Sequence, residues 1–113
     1  MAFNITRSPK FSRVVTVAIP TEDPKRPNKG SFVAKFRYHP REKAIELGEK
    51  LKSGELTDMQ MLEEIEAEFS GIGTDEGELS PREQFLAVHA DTAVCRVVFE
   101  EFFAGNGEAR AKN

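Results

Sequence analysis

The chain has 113 residues, 39% of them hydrophobic and 31% charged, which is one domain's worth of sequence with a modest core and no room for a deep active-site cleft. Its net charge of −3 hides an asymmetry: residues 1–40 carry eight Lys/Arg against two Asp/Glu, a net of +6, and residues 41–113 carry eight against seventeen, a net of −9. No apolar run approaches the roughly 18 residues of a membrane span, residues 1–7 lack the hydrophobic segment of a signal peptide, and the single cysteine excludes an internal disulfide or a CxxC motif, all of which predicts a cytoplasmic protein.

Residues 1–10 read as a flexible arm ending in Ser8-Pro9-Lys10. Arg13 to Ile19 reads as a strand because Val14, Val15, Thr16, Val17 and Ile19 are β-branched; Val15, Val17 and Ile19 share one face, and Pro20 ends the ladder. The polar stretch TEDPKRPNKG over 21–30 is a loop. A second strand over Ser31–Tyr38 alternates Phe32, Ala34, Phe36 and Tyr38 with Val33, Lys35 and Arg37, so the aromatic face is expected to cover helices.

Four short helices are expected after Pro40. The first runs over Arg41–Lys52 with Ala44, Ile45, Leu47, Gly48 and Leu51 inward and Gly54 as its left-handed cap. The second begins at a capping box, Thr57 with Gln60, and its apolar row Leu62, Ile65 and Phe69 predicts a helix that persists to Gly71. The segment GIGTDEGEL over 71–79 reads as an acidic loop. A second capping box, Ser80 with Glu83, opens the third helix at Pro81, and Asp91 caps a fourth that runs to about Ala104 before Gly105. This order predicts an α+β fold, an N-terminal antiparallel strand pair followed by about four short α-helices, in one domain over 11–105 with a disordered tail over 106–113.

Catalytic and metal chemistry find no foothold, so no catalytic residue, metal ligand or cofactor is assigned. His39 and His89 lie fifty residues apart outside any HxxxH or HExxH spacing, Asp75-Glu76-Gly77-Glu78 lacks the ligand order of a calcium loop, and no serine sits in GxSxG or SxxK. Cys95 lies in an apolar stretch and reads as a small buried hydrophobe. Cations among aromatics in the basic half suit single-stranded nucleic acid, but they fall on opposite faces of the strand and the acidic helices repel phosphate.

What remains is protein interaction. The last helix is apolar over much of its circumference, so Val94, Val98, Phe99, Phe102 and Phe103 are candidates for a contact surface. The charge split nominates Lys25, Arg26, Lys35, Arg37, Glu64 and Glu68 as electrostatic contacts, including contacts between copies in a homo-oligomer.

Taken in order, the strand Phe32 to Tyr38, then Leu56-Thr57-Asp58 with Leu62, Ile65 and Phe69, then Gly71 and Asp75-Glu76-Gly77, and finally Val94 to Phe103 resemble the small tail assembly chaperones of long-tailed bacteriophages. The resemblance spans roughly residues 30–105 and lies in the ordered combination. This chain departs from it with Phe69 where many relatives carry Trp and with extra residues around Gly71 to Thr74. The resemblance implies a non-enzymatic protein that binds the tape measure protein, helps recruit tail tube subunits, and works in the bacterial cytoplasm. A small adaptor or regulatory protein for a basic partner is the alternative.

Overall fold

The computed structural model describes residues 2–108. The chain forms β1 (Lys10–Ile19), β2 (Asn28–Arg37), α1 (Arg41–Ser53), α2 (Asp58–Glu64), β3 (Glu68–Ser70), β4 (Gly73–Thr74), β5 (Gly77–Glu78), α3 (Pro81–Ala90) and α4 (Thr92–Asn106). This is the expected α+β class, an antiparallel N-terminal strand pair followed by four helices. β1 and β2 pair over ten residues each, from Lys10 opposite Arg37 to Ile19 opposite Asn28. Both strands start three residues before their expected limits, because antiparallel pairing carries Lys10 and Asn28 into the ladder regardless of their low strand propensity.

The period-two pattern sorts the sheet into two faces. Val15, Phe32, Ala34 and Phe36 are buried, while Val14, Val33, Lys35 and Arg37 look outward. α4 packs along the inner face of β1, and α3 bridges α4 and β3. The core is continuous from sheet to helices through Leu47, Met61, Leu62, Ile65, Val88, Val98 and Phe102. Phe102 is its aromatic hub, with ring centroids 5.5 Å from Phe36, 6.1 Å from Phe11 and 5.9 Å from His39.

The second helix is where the structure departs most from the sequence reading. α2 ends at Glu64, not near Gly71, and the chain continues into β3, which pairs antiparallel with β2 from Val33 opposite Ser70 to Lys35 opposite Glu68. The stop is a Schellman motif: Glu66 N–H donates to the Glu63 carbonyl at 3.1 Å and Ala67 N–H donates to the Leu62 carbonyl at 3.0 Å. Glu66 occupies the left-handed position, with φ of 49°, that glycine usually takes. Beyond it Ala67 and Phe69 are buried and Glu66, Glu68 and Ser70 exposed, a strand alternation. Phe69 lies four residues after Ile65, so the same residues satisfy a helical row and an alternating one.

The glycine-rich loop also folds, as the hairpin β4–β5 with Gly73 opposite Glu78. A Cβ on Gly73 would overlap the Gly77 carbonyl, so the two short strands approach closely only because side chains are missing. Both expected capping boxes form, at Thr57 with Gln60 and at Ser80 with Glu83, and the Asp91 carboxylate accepts from the amides of Ala93 and Val94. α4 runs two residues past its expected end at Ala104. The tail expected over 106–113 therefore begins inside a helix, with Asn106 buried, and its residues 109–113 lie outside the described residues.

Candidate protein-interaction surface

The apolar circumference of α4 is core. Val94, Val98, Phe99 and Phe102 are all buried, which corrects the expectation that part of this row is a contact surface. The reason is that α4 is covered on two sides, by the sheet through β1 and by α3, so even a wide apolar stripe is consumed. Phe103 alone stays half-exposed, and it reaches the surface in a groove between α4 and α1.

That groove has a volume of about 820 Å³. Arg41, Ala44, Ile45 and Gly48 of α1 form one wall, Phe103, Asn106 and Gly107 form the other, and Arg7 and Tyr38 close one end. Arg41, Ile45 and Gly48 follow each other at spacings of four and three, a row of their own beside the row of buried Ala44 and Leu47 and partly buried Leu51. Ile45, expected to face the core, is therefore 53% exposed in the groove wall. The Phe103 ring faces Gly48 across the groove, leaving room for one methyl group, since a Cβ there would stand 3.5 Å from Phe103 Cζ, at ordinary contact distance. The Arg7 guanidinium lies 5.8 Å from the centroid of the Tyr38 ring and donates to the Glu108 carbonyl at 2.6 Å. The groove thus has apolar side chains on both walls and two arginines in its lining.

The candidate electrostatic residues fall into separate places. Lys25 and Arg26 sit at the tip of the β1–β2 hairpin, where Arg26 lies 3.9 Å from Asp23. Lys35 and Arg37 are on the outer face of β2. Arg37 holds Glu66 at 2.9 Å, and this hydrogen bond keeps the Glu66 carboxyl below the usual carboxylate range. Glu68 lies 3.6 Å from Lys10, and Glu64 lines an open hollow of about 510 Å³ with Arg37, Leu56, Gln60, Glu63 and Glu66. A third link joins Arg13 to Glu101 at 3.1 Å and to Glu108 at 2.6 Å. Lys10, Arg13 and Arg37 thus pair the basic part with the acidic part within one chain.

Two of the groups able to do chemistry, Cys95 and His39, are buried. Cys95 is fully buried, and burial pushes its thiol up to about 12, so it stays protonated and unreactive near neutral pH. His39 Nδ1 lies 3.0 Å from the Arg37 carbonyl, an acceptor only, so this nitrogen carries the proton. His89 lies in the last turn of α3. Among the described residues no three His, Cys, Asp or Glu gather as metal ligands, and no helix is long and apolar enough to cross a membrane.

Two positions escaped the sequence reading. Gln84 is buried; it donates to the Leu79 carbonyl at 2.8 Å and accepts from Ile72 N–H at 3.1 Å, seating the β4–β5 hairpin on α3. Arg41 is the other, and its spacing to Ile45 and Gly48 is the signal that would have found the groove wall. No family model, curated protein or solved structure matches the chain.

Proposed function

We propose that this protein is a non-enzymatic phage tail assembly chaperone that holds an amphipathic helical segment of the tape measure protein and helps recruit tail tube subunits in the host cytoplasm. The observation that carries the reading is the groove beside α1, with Ile45 and Phe103 on its facing walls and Arg7 and Arg41 in its lining. A groove of this kind accepts apolar anchors from one face of a client helix, and the arginines select carboxylates flanking those anchors. Further support comes from the resemblance of residues 30–105 to such chaperones. A client whose apolar stripe is unpaired before assembly is kept from aggregating by this transient cover.

An adaptor for a basic partner would use the hollow lined by Glu63, Glu64 and Glu66. Arg37 already neutralises part of it, which favours the groove.

Co-expression with the tape measure protein tests the reading. The native chain should raise recovery of soluble client several-fold. Ile45→Glu should abolish that gain, and Leu86→Glu, an exposed position on α3 remote from the groove lining, should retain it. Client recovery that the native chain leaves unchanged overturns the proposal.

A further inference from the structure

The first strand leaves one edge of the sheet bare. β1 heads the order β1-β2-β3 and runs ten residues between Pro9 and Pro20, with β2 on one side only. Among the described residues, no group outside β2 hydrogen-bonds the main chain of Lys10–Ile19. Natural edges are ordinarily blunted by proline, a bulge or outward charges. β1 has no proline, its ten pairs with β2 run without a break, and its two cations leave the edge open: Lys10 stands at the start and Arg13 turns inward to Glu101 and Glu108. Beside this edge the otherwise polar outer face carries one apolar cross-strand pair, Val14 64% exposed and its partner Val33 40% exposed.

We propose that β1 is the self-association surface of this protein. A second copy adds its own β1 antiparallel about a two-fold axis at Val14, giving one continuous six-stranded sheet. The strand is self-complementary in this register. Lys10 falls opposite Ala18, Ser12 opposite Thr16 and Arg13 opposite Val15, so no like charges face each other. Val33 and Val14 of one copy line up with Val14 and Val33 of the other as an apolar stripe four strands wide. A parallel arrangement would instead set cations against cations. The strand shares no residue with the α1 groove, so the inference stands apart from the chaperone reading.

A strand-pair interface is small, so the dimer should exchange, with a dissociation constant on the order of 10 µM. Sedimentation equilibrium of the intact chain should show a concentration-dependent dimer, and Val14→Lys should weaken it by about tenfold or more while leaving the urea midpoint in place. Under mild oxidation Val14→Cys should form a disulfide between copies, since directly opposed antiparallel Cα atoms lie within disulfide range and Cys95 is buried. Ser12→Cys mixed with Thr16→Cys should cross-link, and Ser12→Cys alone should not. A chain that stays monomeric at about 1 mM, far above that constant, overturns the proposal. So does a dimer that survives Val14→Lys and fails to cross-link at position 14, or an edge that takes up only an extended client peptide.

Discussion

The main chain of His39 and the side-chain amide of Asn106 clasp each other, with His39 N–H donating to Asn106 Oδ1 at 2.8 Å and Asn106 Nδ2 donating to the His39 carbonyl at 2.8 Å. Both residues are buried. The clasp joins the turn between β2 and α1 to the last turn of α4, across 67 residues of chain. Asn106→Ala leaves a buried donor and a buried acceptor without partners, and should cost about 2–4 kcal/mol. Asn106→Asp keeps the acceptor but sets a carboxylate against the His39 carbonyl, and should cost at least as much at pH 7. Urea unfolding checks both.

Glu66 holds a left-handed conformation and an exposed pair with Arg37. Glu66→Gly removes backbone strain while losing that pair, and should leave stability within about 1 kcal/mol of the native chain. Glu66→Val should destabilise by about 1–2 kcal/mol or more, because a β-branched residue resists that φ. The depressed Glu66 carboxyl favours folding above the ordinary carboxylate pKa, and that contribution fades as pH falls through the folded value. Glu66→Gln should therefore flatten the acid limb of a stability–pH profile.

Gly48 sits mid-helix in α1 with room for a methyl group against Phe103. Gly48→Ala should stabilise by about 0.5–1 kcal/mol through helix propensity. Larger side chains at this position narrow the groove, so Gly48→Leu should lower client recovery in the co-expression assay while the thermal midpoint stays close to native.

Phe99 and Phe103 separate packing from binding. Phe99→Ala should cost about 3–5 kcal/mol, the range for emptying a core aromatic site. Phe103→Ala removes a half-exposed ring and should cost roughly 1–2 kcal/mol, with its larger effect on client recovery.

Cys95 should resist alkylation in the folded chain. A thiol pushed up to about 12 from an ordinary value of 9.0 has about a thousandfold less thiolate at neutral pH, besides being shielded. Modification should track global unfolding. The folded state holds this proton more tightly than the unfolded one, so the thiol's effect on stability is nil below about pH 9 and becomes a loss as pH rises above it. Cys95→Ala should remove that alkaline loss.

Legibility followed locality. The strand pair, both capping boxes and the Asp91 cap were readable because each signal is complete within a few residues. The end of α2 was not, since Leu62, Ile65 and Phe69 fit a helical row and only Glu66 in a left-handed conformation breaks it. The interaction surface was misplaced for a related reason. A wide apolar stripe such as Val94 to Phe103 states how much is covered, not by what, and both β1 and α3 cover it. The groove row Arg41, Ile45 and Gly48 was present in the spacing but was merged with the buried row next to it.

The seating of α4 on β1 joins nearly opposite ends of the chain: Arg13 bonds to Glu101 and Glu108 across 88 and 95 residues, and a Cβ on Gly105 would collide with the Phe11 ring. Such distant pairing raises contact order and slows folding. On the ribosome the hairpin of β1 and β2 can close early, but Phe11 and Phe36 on its inner face lack the Phe102 ring until α4 has emerged. Synthesis therefore passes through a long interval with a greasy, half-built sheet, and the last helix is the step that commits the chain to its native state.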